Sequence, residues 1–413
     1  MSQQDAIAVV GAGIIGSAVA LALAREGRKV LLLDRALPGV AGASYGNVGH
    51  IAAELVQPLP SPQLLFGFWR QLLRFGGVLD LPPSRAAGMI PWIARFARAA
   101  FRRDRNTELL SPLVLPAARD WRRWLDEIGR GELLRRNGHY EVGFGAKATE
   151  AAASQAAAMA SLGVRTVPVP NADLQALEKA AGAPAVGLWF PDSAHVVDPL
   201  RAVQALADAA TARGAEYRRM EVRQLKPRGD GVEVIGADAA FTTRAAVICA
   251  GMGSQPLLKS FGLHAPLQPV RGYHIEMPGH ESYLDAPVVY TDEHLLVTPM
   301  SGRLRASSFM EFAATDAPAD ATKLEKLRAL VRKRGYRCEA GGPSWVGSRP
   351  ILPDYLPGIG RAPGSSRLYY AIGHQHIGLT LAPVTGDLLA DLVAERTPRL
   401  EIQGFDLQRF GTS

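Results

Sequence analysis

The sequence predicts an α/β protein in which a parallel sheet is joined to a second, α+β domain built on an antiparallel sheet. Two observations carry this prediction. Near the N-terminus, an apolar run, a glycine-rich turn, a helical stretch and a second apolar run follow one another, as in a βαβ unit. Much later in the chain, a strand is predicted over 216–225, and short apolar runs separated by turn residues predict further strands at 270–277, 288–290, 295–299 and 304–309.

The first βαβ unit has the glycine pattern of a Rossmann-type domain. Residues 6–10 and 29–33 predict buried parallel strands, and 17–26 predict the helix between them. The turn reads Gly11-Ala12-Gly13-Ile14-Ile15-Gly16. In such a turn the first glycine permits the bend, the second lets the backbone approach a pyrophosphate, and the third lets the helix pack on the strand.

Asp34 ends the second strand, at roughly the spacing of 20 residues where an acid hydrogen-bonds the ribose of a bound dinucleotide. The helix N-terminus stabilises the phosphate charge. The pattern therefore predicts a dinucleotide site, but by itself it does not distinguish NAD from FAD.

Length and composition narrow the class of protein. The 413 residues are enough for two domains, and the hydrophobic (47%) and charged (21%) fractions are ordinary for a globular enzyme. Cys249 and Cys338 fit no metal-ligand spacing, so we expect neither a disulfide framework nor a metal site. The net charge of +7 comes from arginines spread along the chain, which does not indicate a nucleic-acid partner.

The N-terminus has no basic region leading into an apolar stretch, and the chain has no apolar run long enough to span a membrane. We therefore expect a cytoplasmic protein.

Three further segments resemble the D-amino-acid oxidase and dehydrogenase family. Residues 42–50, Gly-Ala-Ser-Tyr-Gly-Asn-Val-Gly-His, are similar to the family's segment along the pyrophosphate and flavin ring. Residues 245–254 are similar to its second contact with the dinucleotide. Residues 345–380, from Trp-Val-Gly-Ser-Arg-Pro to Gly-His-Gln-His-Ile-Gly-Leu-Thr, are similar to its C-terminal signature.

The resemblance spans residues 7 to about 394 in the family's order and implies FAD as the cofactor. Relatives among the monomeric sarcosine oxidases carry a flavin-linking cysteine near the position of Gly347, so we expect FAD to be bound non-covalently here. A helix predicted over 383–394, with Pro383 in its first turn, would direct its N-terminus at the flavin. The expected cofactor-binding residues are Gly11, Gly13, Ile14, Ile15, Gly16, Asp34, Arg35, Ser44, Asn47, Gly49, His50, Val222, Ala250, Gly251, Gly373, His374, Gln375, Gly378, Leu379 and Thr380.

The same resemblance implies a discontinuous chain organisation. We expect an FAD-binding domain from residues 1–55, 185–265 and 345–413, and a substrate-binding domain from 56–184 and 266–344.

In this family a fixed guanidinium holds the substrate carboxylate, and Arg349 matches that position. His376 stands where the oxidases have a glycine facing the substrate amine, so the pocket should differ from theirs. Tyr273, Tyr290 and His294 are candidates for the pocket, although each is equally explained as part of the sheet. His50 is a candidate for contact with the flavin or for a base.

The function implied is FAD-dependent oxidative deamination of a D-amino acid, with electrons passed to a quinone or another carrier. The C-terminal signature is most similar to dehydrogenases that act on D-proline and cis-4-hydroxy-D-proline. A glycine or sarcosine oxidase that uses oxygen is the alternative, because sequence does not decide oxygen access. An RNA-binding flavoprotein and a non-catalytic scaffold are disfavoured by the absence of an RNA-binding motif and by the intact glycine turn.

Residues 64–105 are apolar and basic, with Trp92, Phe96 and Ala100 on one helical face. That face could pack against its own domain, which we favour, or lie on the inner surface of the cell membrane. Oligomerisation or a partner subunit stays open.

Overall fold

The computed structural model describes residues 3–65, 79–279 and 283–411. Its strands are β1 (Ile7–Val10), β2 (Val30–Asp34), β3 (His50–Ile51), β4 (Leu79–Asp80), β5 (Leu134–Arg135), β6 (His139–Phe144), β7 (Val167–Pro168), β8 (Ala185–Phe190), β9 (Ala194–Val196), β10 (Glu216–Arg219), β11 (Val222–Arg228), β12 (Gly231–Gly236), β13 (Ala240–Thr243), β14 (Ala245–Ile248), β15 (Gln268–Pro278), β16 (Val288–Tyr290), β17 (Leu295–Met300), β18 (Arg303–Glu311), β19 (Ser344–Ile351), β20 (Gly358–Arg361) and β21 (Leu368–Ile372).

Helices cover both sheets. They are α1 (Ile14–Arg25), α2 (Pro83–Ala100), α3 (Arg103–Val114), α4 (Ala117–Glu127), α5 (Ala148–Ser161), α6 (Asn171–Ala181), α7 (Pro199–Ala212), α8 (Ser254–Lys259), α9 (Ala321–Lys333) and α10 (Gly378–Val393).

A six-stranded sheet in the order β10-β2-β1-β14-β21-β20 contains the predicted βαβ unit. Its strands are parallel except for β20, which pairs antiparallel with β21. Strand β1 is buried along its whole length, as expected of a central parallel strand with helices on its faces. The α/β class and the first βαβ unit predicted from the sequence are confirmed.

A nine-stranded, largely antiparallel sheet runs in the order β19-β15-β18-β17-β16-β6-β8-β7, with β4 added beside β18. Small three-stranded sheets, β11-β12-β13 and β3-β9-β5, complete the strand pairing of the described residues. The predicted antiparallel strands at 270–277, 288–290, 295–299 and 304–309 all belong to the large sheet.

Two strands fall on the other side of the expected domain boundaries. Strand β8 pairs with β6, and β19 pairs with β15, so both extend the nine-stranded sheet although residues 185 and 345 were expected to open nucleotide-domain segments. Backbone pairing decides this, because the amides and carbonyls of both strands are hydrogen-bonded to strands of that sheet. The two-domain division itself stays a proposal.

Two element predictions were wrong in detail. The strand expected over 216–225 is interrupted between β10 and β11, which lie in different sheets. The last helix begins at Gly378, so Pro383 lies inside α10 instead of in its first turn. A proline there has no amide to donate to the carbonyl of Leu379, and the indole Nε1 of Trp121 donates to that oxygen instead, at 2.8 Å.

The predicted apolar face of residues 92–100 packs inside the protein. Trp92, Phe96 and Ala100 of α2 are all 5% exposed or less. Trp92 stacks on Phe96, and both contact the aromatic rings of neighbouring elements. Residues 66–78 of the same segment lie outside the described residues. In the part of the chain that is described, no helix is both long and apolar enough to cross a membrane.

Candidate active site

One cavity of about 1090 Å³ runs from the glycine turn after β1 to the antiparallel sheet. Its volume is at the upper end for small-molecule sites, which suits a long dinucleotide together with a small substrate. The wall includes all the expected cofactor-binding residues except Gly16, Gly49 and Thr380.

Two positions of the glycine turn require glycine, because a side chain there would collide with the protein backbone. Gly11 has a φ of +107°, and a Cβ there would lie 2.4 Å from the carbonyl oxygen of Cys249. A Cβ at Gly16 would lie 1.7 Å from the carbonyl oxygen of Gly11. Gly16 therefore allows the helix to pack on the turn and need not touch a ligand, as its absence from the cavity wall indicates.

Two side chains hold this turn in place. The Ser44 hydroxyl accepts a hydrogen bond from the amide of Ile14 at 3.0 Å, which orients the first turn of α1. The Asp34 carboxylate accepts one from the amide of Ala12 at 2.7 Å. Asp34 and Arg35 both line the cavity at the end of β2, where a ribose would lie.

The segment 42–50 is fixed by side chains of the antiparallel sheet. The imidazole Nδ1 of His274 donates to the carbonyl of Gly46 at 3.0 Å. The guanidinium of Arg305 donates to the carbonyl of Asn47. The indole of Trp345 lies so close to Gly46 that a Cβ there would be 2.0 Å from the ring. This contact joins the predicted flavin-facing loop to β19.

The C-terminal loop is equally constrained. Gln375 adopts a φ of +53°, which is rare for a residue other than glycine. Its side chain accepts from the amide of Leu352 at 3.1 Å and donates to the carbonyl of Leu356 at 3.0 Å. His374 is hydrogen-bonded to Thr385 at 3.1 Å, and burial lowers the pKa of His374 to about 3. Gln375 and His374 thus shape the loop before α10.

Gly49 and Thr380 support the wall from behind. A Cβ at Gly49 would lie 2.3 Å from the carbonyl oxygen of Val196, so only glycine allows β3 and β9 to approach this closely. The Thr380 hydroxyl accepts from the amide of Ala52 at 3.1 Å and joins α10 to the chain after β3.

These residues fit FAD. The first turns of α1 and α10 both reach the cavity wall, through Ile14 and Ile15 in one helix and Gly378 and Leu379 in the other. Helix N-termini carry partial positive charge, which suits an anionic pyrophosphate and the electron-rich edge of a reduced flavin. Gly11, Gly13 and Ser44 would hold the pyrophosphate, Asp34 the ribose, and residues 373–379 the flavin.

Arg349, on β19, is the one guanidinium of the cavity wall apart from Arg35 at the ribose end, within the described residues. Its Nη1 lies 3.4 Å from the carbonyl oxygen of Phe309, a long contact, and no described carboxylate pairs with it. Burial lowers the pKa of Arg349 from its ordinary value, although its side chain stays partly open to the cavity. Arg349 therefore presents a positive charge that only a ligand would neutralise.

His376 and Tyr355 adjoin this arginine. The His376 side chain opens onto the cavity, and its ring centroid lies 5.9 Å from that of Tyr355. The surrounding protein and then the charge of Arg349 lower the pKa of His376 to about 4. His376 is therefore a neutral imidazole at neutral pH, able to accept or donate one hydrogen bond.

The other predicted pocket residues are placed differently. Tyr273 belongs to the cavity wall, but its hydroxyl donates to Glu311 at 2.9 Å and accepts from Arg271 at 2.9 Å. The Tyr290 hydroxyl is hydrogen-bonded to Tyr336 at 2.9 Å, and Tyr290 is not among the residues that line the cavity. Both hydroxyls are therefore hydrogen-bonded within the protein instead of being directed at a substrate.

His294 and His50 line the cavity. His294 has a φ of +49°, and its carbonyl accepts from the Ser308 hydroxyl at 3.0 Å. His50 is enclosed by protein, which lowers its pKa well below the ordinary value. A neutral His50 fits contact with the flavin better than the binding of an anion.

Sequence reasoning missed several wall residues. Tyr355 is 3% exposed beside Arg349 and has a φ of +60°, yet it stands between the two quoted halves of the C-terminal motif. Phe309 and Phe312 also line the cavity. Tyr355 could have been suspected from its place six residues after the arginine. The phenylalanines have no such signal, because β18 and the residue after it reach the cavity only in the assembled fold.

Comparison with known proteins identifies the family of the chain. The family described as FAD dependent oxidoreductase matches residues 6–392. The chain is 30% identical to a D-amino-acid oxidase of Bradyrhizobium diazoefficiens, over 98% of each chain. It is 31% identical to D-amino acid dehydrogenase 2 of Ralstonia nicotianae, over 98% of this chain and 100% of that protein.

Solved structures show the same fold. Glycine oxidase from Geobacillus kaustophilus superposes with a TM-score of 0.77 at 22% identity, covering 98% of each chain. L-proline dehydrogenase from P. horikoshii superposes with a TM-score of 0.75 at 16% identity, covering 99% of this chain and 98% of the other. With its glycine turn, its cavity and a family match over nearly its whole length, this chain belongs to the FAD dependent oxidoreductase family and is an FAD-dependent enzyme.

Proposed function

We propose that the protein oxidises a D-amino acid at its α-carbon, with D-proline or cis-4-hydroxy-D-proline as the preferred substrate. The observation that carries this proposal is the Arg349 guanidinium, which faces the cavity without a described acidic partner. A guanidinium binds both oxygens of a carboxylate, and this pairing is strong where water is excluded. The names of the two relatives support a D-amino acid.

When bound, FAD supplies the acceptor for the hydride that leaves the α-carbon. The chain itself contributes orientation. Arg349 would fix the substrate carboxylate and thereby set the orientation of the α-carbon relative to the C-terminal loop. The imine product of an open-chain amino acid then hydrolyses in water to a keto acid. From a cyclic substrate, the product is a cyclic imine in equilibrium with the ring-opened keto acid.

The wall beside Arg349 predicts the kind of side chain that the substrate carries. An apolar cluster adjoins the arginine, since it contains Val270, the register partner of Arg349, and Tyr355. Its cavity-lining members are Leu64, Leu79, Trp92, Ile93, Phe96, Met310, Phe312 and Tyr355. An apolar side chain or a pyrrolidine ring suits this wall, and a charged side chain would lose its hydration there.

No acidic side chain is available for the substrate amine among the described wall residues, because Asp34 and Glu221 both lie at the nucleotide end. The amine should therefore bind in its neutral form. His376 would accept its hydrogen bond or that of a ring hydroxyl, which is the reason for expecting the hydroxylated substrate.

We also propose that electrons leave to a quinone at a membrane surface. Ile90 and Phe101, three helical turns apart at α2, are 64% and 74% exposed, and Arg98 and Arg102 lie close by. Exposed apolar side chains beside arginines suit an anionic lipid surface. The wild type should therefore sediment with phosphatidylglycerol vesicles, and Ile90→Ser and Phe101→Ser should abolish this. Sedimentation that persists in these variants would contradict the proposed membrane contact.

The proposed function is tested by anaerobic bleaching of the flavin absorbance. D-proline and cis-4-hydroxy-D-proline should bleach the wild type rapidly, and D-lysine and the L-enantiomers slowly. In Arg349→Lys the bimolecular rate of bleaching should fall about 10²–10³-fold, because a point charge replaces the planar fork. FAD content checks that the variant folds.

Return of the colour separates the alternatives. Slow return in air and rapid return with a soluble quinone support a dehydrogenase. Bleaching by glycine or sarcosine with rapid return in air supports the oxidase instead. If no amino acid bleaches the flavin, or if Arg349→Lys reacts like the wild type, the proposed carboxylate site is wrong.

A further inference from the structure

Two buried histidines and a glutamate form a cluster that extends from His50 in the cavity wall into the protein. Its members are His50 on β3, Glu54 four residues later, and His139, the first residue of β6. Their side chains are 9%, 4% and 0% exposed. They come from two segments that are far apart in sequence.

The three possible ligand atoms of this cluster lie close together without forming hydrogen bonds to one another. The Glu54 Oε1 lies 3.5 Å from Nε2 of His50 and 3.7 Å from Nε2 of His139. One ligand atom from each residue lies within 4.8 Å of the others. A charge-assisted hydrogen bond would be about 2.7–2.9 Å long. In contrast, donors bound tetrahedrally to zinc at about 2.1 Å lie about 3.4 Å apart.

The cluster has a buried polar atom that makes no hydrogen bond in the part of the chain that is described. Nε2 of His50 is buried and makes no hydrogen bond within the described residues. A buried polar atom without a partner costs about 1–3 kcal/mol, so its presence in this cluster needs an explanation. A metal ion, which binds the lone pair of a neutral imidazole, supplies one.

The surrounding side chains hold the donors in position. The Ser193 hydroxyl donates to Oε2 of Glu54 at 2.7 Å, which leaves Oε1 directed at the two histidines. The ring of Phe190 stacks on His139 with centroids 4.5 Å apart. Such outer contacts orient metal ligands in known sites.

The charges of the cluster are also unbalanced. Other buried acids of this protein pair with arginine or lysine, as Glu293 does with Arg334 and Glu311 with Lys323. In the described residues Glu54 is paired only with His50 and His139. Glu141, whose Oε1 is 3.5 Å from Nε2 of His139, likewise has only a histidine as a cationic partner in the described residues, and its Oε2 accepts from the side-chain amide of Gln155. A divalent cation would neutralise both carboxylates.

We propose that His50, Glu54 and His139 bind a divalent cation of the zinc class. Two imidazoles and one carboxylate are a known zinc ligand set, and borderline metals prefer it to the all-oxygen sites of magnesium and calcium. Glu141 lies near enough to support the site as an outer or a fourth ligand.

The site would join a small sheet to the nine-stranded sheet. His50 lies in the small sheet β3-β9-β5, while His139 opens β6 of the nine-stranded sheet. His50 also lines the cavity, and the amide of Ala52 donates to Thr380 of α10. An ion held here would therefore have a structural role, because it would fix β3 at the cavity wall against the nine-stranded sheet.

The test measures metal in the FAD-loaded protein. Wild type is incubated with Zn²⁺, dialysed against metal-free buffer and analysed by mass spectrometry of its elements, with FAD content as the check of folding. We expect about one tightly bound zinc per chain and a rise in melting temperature on adding Zn²⁺. Glu54→Gln and His139→Gln should lose both.

His195→Gln is the matched control. His195 is 1% exposed and is the register partner of His50, but it does not belong to the three-residue cluster. This variant should retain the zinc. A zinc-edge anomalous peak between the three side chains of wild-type crystals would support the site even if a variant fails to fold.

Two results would overturn the proposal. One is wild type that retains no zinc and whose melting temperature does not respond to Zn²⁺. The other is equal zinc retention by wild type, Glu54→Gln and His139→Gln. Either would mean that the cluster is a metal-free network, with a protonated His139 between the two acids.

Discussion

Gly272 lies directly against the guanidinium of Arg349. A Cβ at this position would lie 2.2 Å from Nη2 and 2.4 Å from Cζ of the arginine. The absence of a side chain on β15 therefore decides where the positive charge of the cavity can lie. Neither the chain-wide charge pattern nor the motif around Arg349 reveals this dependence on a neighbouring strand.

Gly272→Ala should displace the guanidinium without removing it. A displacement of about 1 Å can cost about 10²-fold in rate, so we expect the KM for the amino acid to rise about 10–100-fold while FAD content is unchanged. Steady-state kinetics with a quinone acceptor measures this. Gly342→Ala is the control, because a Cβ there would lie 3.5 Å from its nearest neighbour, an ordinary contact. An unchanged KM in Gly272→Ala would show that Arg349 does not set substrate affinity.

Helix α10 depends on a hydrogen bond from outside the helix. Pro383 cannot donate to the carbonyl of Leu379, and Trp121 of α4 donates in its place at 2.8 Å. Leu379 also lines the cavity, so this bond positions the first turn of α10 beside the cofactor. The helix begins earlier than the sequence predicts because a side chain from a distant element offsets the missing amide.

Trp121→Phe should therefore destabilise the protein more than Trp124→Phe does. Both indoles are fully buried on the same helix, but Nε1 of Trp124 has no hydrogen-bond partner in the described residues. Leaving the Leu379 carbonyl without a donor should cost about 1–3 kcal/mol beyond the shared loss of volume. Trp124→Phe loses part of a contact with the Arg25 guanidinium, which is worth about 1 kcal/mol or less. Urea unfolding with saturating FAD compares the two, and equal midpoints would contradict the role of Trp121.

At the scale of the whole molecule, the sequence predicts what is local and misses what is assembled. The turn at Gly11, Gly13 and Gly16 and the strands beside it follow from neighbours in the chain. The cluster of His50, Glu54 and His139 does not, because its histidines lie 89 positions apart and meet only when two sheets come together.

The direction of individual side chains is a second feature that the sequence does not predict. The sequence identifies Tyr273 as an aromatic residue of a pocket strand, but its hydroxyl joins a buried ionic network instead of the cavity. The choice is set by Arg271 and Glu311, which offer stronger partners than a ligand would.

That network predicts how the whole fold responds to acid. Glu311 accepts from Arg271 at 2.6 Å, from Tyr273 at 2.9 Å and from Lys323, and Lys323 also pairs with Asp80 at 2.6 Å. It thereby holds β4, β15, β18 and α9 together. Burial raises the pKa of Glu311, but the donors outweigh burial and hold that pKa below its usual 4.5.

A carboxyl whose pKa is lower in the folded than in the unfolded state stabilises the fold above its unfolded pKa, and this stabilisation is lost as the pH falls through the folded pKa. The free energy of unfolding should thus decline from about pH 4.5 downward. Glu311→Gln should lose about 3–5 kcal/mol at pH 7, because buried Arg271 loses its carboxylate partner among the described residues while Lys323 keeps Asp80 and Asp320, and it should show a shallower acid decline than wild type. Urea midpoints at neutral and acidic pH with saturating FAD measure both effects. Asp192→Asn, which breaks an ion pair with Arg165 that is exposed on both sides, should match wild type at every pH. If Glu311→Gln and Asp192→Asn behave alike, the buried network does not stabilise the fold and the strands are held by apolar packing alone.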